Sequence, residues 1–271
     1  MKQERHASAD SFPLRPCEKH RGFKAINKRC SKDLQAVVDG HCKFWAKSYP
    51  VTFSKMKRTK ERKKLLQLYN RLYSAIGPRH WWPADSPFEV IIGAILTQNT
   101  SWKNVEKAIH ALKERDLLDP LKILTVEEAL LAETIKSSGF FNIKAKRIKN
   151  FIHFLFACYQ GSLEKMFSEK LSPLREKLLK INGVGPETAD SILLYAGEKP
   201  IFVVDAYTKR IFERHNLISE SDGYDETQSL FMENLEKNVS MFNEYHALMV
   251  YVGKYFCKRT PQCGKCPAKG I

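Results

Sequence analysis

Nowhere does this sequence hold the run of about 18 to 20 apolar residues that a helix needs to cross a bilayer. Its first residues, MKQERHASAD, are polar where a secretory leader would carry an apolar core. The two absences predict a soluble, intracellular protein. Strand patterning is scarce as well. The β-branched stretch Phe202-Val203-Val204 is short and isolated, so no sheet is expected. No internal repeat is found either. Cysteine occurs seven times, and an odd count without a leader argues against a disulfide framework.

What is present is enough apolar residue to build a core, 43% of 271, in one large domain or two modest ones. The net charge of +15 points to nucleic acid, but it is unevenly spread. Residues 1–64 hold 18 Lys and Arg against 6 Asp and Glu, whereas the rest hold 27 against 24. Residues 1–57 mix prolines, charges and short apolar patches without sustained period. They are expected to be a basic, poorly ordered extension with a short helix near Lys32 to Val38. Cys17, His20, Cys30, His41 and Cys42 match no common zinc finger, so they are read as part of a solvated arm. Such an arm strengthens salt-sensitive DNA binding without adding selectivity.

Residues 58–271 form the second region, and helical periodicity runs through it. Leu65, Leu66, Leu68, Tyr69, Leu72, Tyr73 and Ile76 share a face that Gly77-Pro78 ends. Ser86-Pro87 opens a helix that is apolar nearly all round, hence central and buried, and Trp102 starts another. Further helices are predicted over Val126 to Lys136, Lys144 to Tyr159, Leu171 to Lys180, Glu187 to Ala196, Ala206 to His215, Asp225 to Lys237 and Phe242 to Phe256. The predicted class is all-α.

Two of these helices meet at Ile181-Asn182-Gly183-Val184-Gly185-Pro186. The glycines permit a tight turn with amide N–H groups facing outward, and proline fits the first helical position. Together these can receive a phosphate without a lysine. Downstream, four apolar residues deliver Asp205 to the start of the next helix, where the dipole favours an anion. Asp205 is also a good N-cap, and both roles are compatible.

The hairpin and the aspartate together resemble the helix-hairpin-helix DNA glycosylases of the endonuclease III superfamily, over about Leu65 to Cys266. The resemblance implies a two-lobed, monomeric all-α enzyme with its cleft between the lobes, acting on double-stranded DNA that holds a damaged base. It implies that Gly183, Val184 and Gly185 hold the DNA backbone, that Gln98 enters the base stack, and that Asp205 serves cleavage of the N-glycosidic bond. A fixed carboxylate suits that work, since it stabilises an oxocarbenium-like sugar and orients water. In strand-cleaving members the second residue after Gly-Val-Gly is an imine-forming lysine. Here it is Glu187, which cannot form an imine, so a monofunctional enzyme is expected.

Trp81-Trp82-Pro83, the Leu-Thr-Gln-Asn-Thr stretch at 96–100, and Ser138-Gly139-Phe140-Phe141-Asn142 with the basic run that follows resemble the 3-methyladenine branch. That implies a base pocket at Trp81, Trp82 and Pro83, with Trp102 as a wedge and Lys254 nearby. An indole face attracts a cationic, alkylated purine beyond ordinary stacking. Oxidised pyrimidines or mismatches are the rival substrates on the same scaffold, and a non-catalytic DNA clamp is the rival of another class. Cys257, Cys263 and Cys266 resemble the superfamily's [4Fe–4S] loop, which takes four thiolates. The first gap is one residue shorter than in endonuclease III, and the fourth cysteine would fall just past residue 271. Truncation, a non-cysteine ligand, loss of the cluster, or zinc on three cysteines plus an outside ligand all remain open readings.

Overall fold

The computed structural model describes residues 59–271. The expectations for residues 1–57, including the short helix and the Cys/His set, lie outside the described residues. Among those described there are twelve α-helices and no strand. In order they are α1 (Lys60–Ile76), α2 (Pro87–Leu96), α3 (Trp102–Glu114), α4 (Pro120–Thr125), α5 (Glu128–Thr134) and α6 (Phe141–Tyr159), then α7 (Leu163–Ser168), α8 (Leu171–Leu179), α9 (Pro186–Ser191), α10 (Ala206–Arg214), α11 (Tyr224–Asn234) and α12 (Val239–Tyr255). The all-α expectation holds. No described helix is long and apolar enough to cross a membrane.

Two lobes account for the packing. Helices α2 to α9 form one, around α2, whose ten residues are all buried apart from Pro87. Helices α1, α10, α11 and α12 form the other. A single π turn, Ile192–Ala196, continues α9 and packs against both α2 and α12, so it joins the lobes. The sequence reads as unbroken helix there. The π turn widens one turn of it, a distortion that frequently marks functional sites.

The segment Ile201–Val204 is fully buried yet belongs to no sheet. Several of its backbone groups are met by side chains instead, as buried amides require partners. Gln228 Nε2 donates to the Phe202 carbonyl at 2.6 Å, and the Phe202 N–H points at Met232 Sδ at 3.3 Å. Phe202 stacks on Phe231 with centroids 3.7 Å apart, which pins the segment to α11. This tethered strap carries Asp205 into place.

Between the lobes lies a second tie. Asp190 in α9 is wholly buried and accepts from Arg175 Nε (2.7 Å) and Nη2 (3.1 Å) in α8 and from Gln228 (2.7 Å) and Tyr224 (2.9 Å) in α11. Burial pushes its carboxyl up against the pull of the Arg175 guanidinium and the two neutral donors.

Candidate active site

Asp205 is the N-cap of α10, and its Oδ1 accepts from the Thr208 N–H at 2.7 Å. Its side chain is only 12% exposed, and Oδ2 lies 3.7 Å from His246 Nε2 on α12. His246 Nδ1 is in turn 2.5 Å from the Tyr195 hydroxyl in the π turn. Neither His246 nor Tyr195 stands out in the sequence. Each falls within a helical apolar stripe and reads there as ordinary core.

Glu187, in the first turn of α9, shares the cleft. The surrounding protein and, secondarily, the negative charge of Asp205 push its carboxyl up to about 7, although the residue as a whole is exposed.

From Tyr195 an aromatic wall extends away from Asp205. Its ring is 5.3 Å from Trp82, which meets Trp102 edge-on at 5.0 Å and Trp81 at 5.4 Å. Trp82 lies across Gly93 of α2, where an added Cβ would come within 3.3 Å of the indole. The loop bearing the two tryptophans is held by Glu244 of α12, which accepts the Arg79 N–H at 2.6 Å, while the Arg79 guanidinium sits 4.7 Å over Tyr251. Pro83 is exposed at the rim. Trp102 stands in the wall and is tied to Glu106 on its own helix at 2.8 Å. Lys254 lies two turns beyond His246 on α12, its ammonium 5.6 Å over the Tyr255 ring.

The hairpin lies just ahead of Glu187 in the chain. Gly183 has φ +95 and Val184 is buried, while Gly185 caps α9 in an extended conformation with open space around it. Helix α6 backs this turn: Arg147 packs under Gly183, and Asn150 Nδ2 donates to the Asn182 carbonyl at 3.0 Å. Gln98 is brought to the same place. Its amide nitrogen donates to the Gly183 carbonyl (3.1 Å) and to Thr188 Oγ1 (2.9 Å), and its oxygen accepts from Arg147. Lys144, wholly buried, joins two neighbouring turns by donating to the Leu96 carbonyl (2.8 Å) and the Ser138 carbonyl (2.7 Å). One of those turns leads to Gln98 and the other to Phe140, an aromatic 66% exposed in the left-handed region. Phe140 belongs to the Ser138–Asn142 stretch already noted for its resemblance, and its exposure is what the sequence did not show.

At the C-terminal end Cys257, Cys263 and Cys266 line one cavity together with Arg214 and His215. Arg214 Nη1 lies 3.3 Å from Cys257 Sγ, and burial, followed by the backbone N–H of Ala268 in the opposite sense, moves the Cys266 thiol, with a net upward shift. Three thiols around one hollow fit the donor type of an iron–sulfur loop but fall one short of its usual four. Among the described residues no three ligating groups converge on one point.

A helical hairpin, a buried helix with a glutamine just past its end, and a carboxylate delivered by a strap define the base-excision class of helix-hairpin-helix proteins. The profile of the HhH-GPD superfamily, base excision DNA repair proteins, matches residues 92–237, and the chain belongs to that family. It is 50% identical over 206 residues to an inferred DNA repair glycosylase of Methanocaldococcus jannaschii, covering 76% of this chain and 94% of that protein. To the endonuclease III of Rickettsia prowazekii it is 31% identical, covering 75% and 93%. The H. pylori 3-methyladenine DNA glycosylase MagIII bound to 1,N6-ethenoadenine superposes with a TM-score of 0.62 at 32% identity, over 72% of this chain and 98% of that one.

Proposed function

We propose that this chain is a monofunctional DNA glycosylase that releases an alkylated purine, such as 3-methyladenine, from double-stranded DNA. The observation that carries the proposal is the continuous line of rings from Trp102 through Trp82 and Tyr195 to His246, which ends against Asp205. The likeness to the H. pylori 3-methyladenine enzyme is in keeping with it.

In this reading the hairpin holds the backbone and the damaged nucleotide leaves the stack for the cleft. Trp82 and its neighbours receive the base. A ring-alkylated purine is cationic, and the indole face holds it more strongly than a neutral base by about 0.5 to 2 kcal/mol. The C1′–N bond then breaks with its electron pair going to the base, which leaves neutral and needs little acid assistance. Asp205 stabilises the positive sugar until water adds at C1′, and the proton of that water passes to the carboxylate and on to solvent. Gln98 and Phe140 fill the gap. Gln98 must first exchange its bonds to Gly183 and Thr188 for a base edge, which its amide can do. Glu187 occupies the position where strand-cleaving relatives carry lysine, so the product is an abasic site in an intact strand.

Duplexes holding 3-methyladenine or thymine glycol, incubated separately, test this. Free methylated base, with strand breaks only after alkali, is the expected result. Borohydride trapping of an enzyme–DNA adduct, or preferential release of the oxidised pyrimidine, would overturn it. For the C-terminal loop we propose that Cys257, Cys263 and Cys266 supply three ligands to an iron–sulfur cluster whose part is structural, stapling the loop to α10 and α12. Protein purified without oxygen should carry iron and a brown absorption band, and colourless, iron-free protein would reject it.

A further inference from the structure

His246 is 5% exposed, and its Nε2 has no hydrogen-bond partner among the described residues. A buried imidazole nitrogen is rarely left so. It is aimed at Asp205 Oδ2, 3.7 Å away, the carboxylate oxygen that Thr208 does not engage. On the other side of the ring Nδ1 meets the Tyr195 hydroxyl. We propose that His246 is a positioning residue for Asp205, with Tyr195 fixing its tautomer by donating to Nδ1, so that Nε2 carries the proton and offers it to Oδ2 directly or through one water. The inference rests on the reading of Asp205 as the working carboxylate.

Only one proton order suits the surroundings. Were Nδ1 to carry the proton and donate to the tyrosine oxygen, the bare lone pair of Nε2 would face a carboxylate, which is repulsive. Burial, with Asp205 and then Glu187 adding to it, holds the Tyr195 hydroxyl well above its ordinary value, so it keeps a proton to donate. Burial also pushes His246 down against the pull of Asp205, which favours the neutral ring. The gap of 3.7 Å exceeds a hydrogen bond, as catalytic contacts often do before substrate tightens them. The wiring also has a direction. Tyr195 touches both Trp82 and His246, with centroids 5.3 and 6.0 Å apart. A base stacking on Trp82 therefore presses on the residue that sets the histidine, and so the carboxylate is trued when the pocket is filled.

Two measurements test this on the full-length protein. Two-bond 15N–1H spectra of histidine-labelled protein should show His246 as the Nε2–H tautomer, and Tyr195→Phe should lose that preference. In single-turnover excision, His246→Gln, whose amide nitrogen can take the place of Nε2, should stay within about tenfold of wild type. His246→Asn and His246→Leu should fall by about a hundredfold or more with duplex Kd unchanged. An Nδ1–H tautomer in the wild-type protein overturns the inference, as do equal losses for Gln and Leu. The spectrum needs no variant to fold. Excision that survives Asp205→Asn sinks the reading of Asp205 itself, whereas an inactive Asp205→Asn beside a fully active His246→Leu sinks this inference alone.

Discussion

Asp205 and Glu187 share one cleft and should respond to opposite tests. Asp205→Asn keeps the N-cap geometry but removes the charge proposed to meet the positive sugar. Single-turnover excision should drop by about 10²-fold or more while duplex binding survives. Trp82→Ala should depress excision more than binding, because the indole matters once the base has flipped. Glu187 speaks through pH. Its carboxyl is raised to about 7 in the fold, so the folded state holds a proton there that the unfolded chain gives up near 4.5. Its contribution to stability is whole below that lower value and is lost as pH rises through about 7. Thermal unfolding of Glu187→Gln and wild type at pH 5 and pH 8 should therefore show the variant gaining on wild type at the higher pH. A constant difference would show that the fold does not raise the Glu187 carboxyl. Asp205 was legible in the sequence because an apolar run ends on it at a helix start. His246 was not, since a histidine between Tyr245 and Ala247 in an apolar helix carries no sign of what its far nitrogen faces.

At the scale of elements the two hairpin glycines separate fold from function. Gly183 sits at φ +95 with Arg147 beneath it, and a Cβ there would lie 2.2 Å from Arg147 Cγ. Gly183→Ala should cost about 1 to 2 kcal/mol for the backbone alone and also displace the arginine that holds Gln98. Gly185 has an ordinary φ and open space, so Gly185→Ala should leave Tm nearly unchanged while still weakening duplex binding, because its methyl group would stand where the proposed reading puts a phosphate. If both variants lose stability equally, the hairpin is a packing element and not a binding one. Phe140→Ala should likewise spare the fold and weaken retention of lesion duplex by about 1 to 3 kcal/mol, the worth of one stacked aromatic.

The longer helices were legible from period and caps: α1, α2 and α10 start where Thr59, Ser86 and Asp205 cap them. Short ones were not. Helices α4 and α7, six residues each, are too brief to show a period, although Asp119-Pro120 and Ser162 were available as start signals. Helix α6 begins three residues before the expected Lys144, because Phe140 takes the left-handed conformation and lets the chain turn at once.

For the whole molecule, stability and DNA affinity are expected to reside in different places. The tie between lobes through Asp190 depends on Arg175, so Arg175→Met strands a buried carboxylate with neutral donors. About 3 kcal/mol of stability should go, measured by chemical denaturation, and the two lobes should then loosen together. A loss below about 1 kcal/mol would place the tie among ordinary surface pairs. Affinity, by contrast, is expected to draw on residues 1–57, which carry most of the excess positive charge. Removing them should weaken binding to every duplex alike and flatten the dependence on salt, with lesion preference unchanged. A changed preference would make them part of the recognition surface.

Lys144 gives the molecule a chemical clock. Burial lowers its ammonium to about 8, which would make it a ready nucleophile in water, yet two carbonyls and the core seal it off. An amine-reactive acylating reagent should leave it unmodified while the exposed lysines label within minutes. Its slow acylation, followed by peptide mass, then counts the moments when the turns bearing Gln98 and Phe140 part company. Bound DNA that keeps those turns together should slow that count; DNA that prises them apart should quicken it.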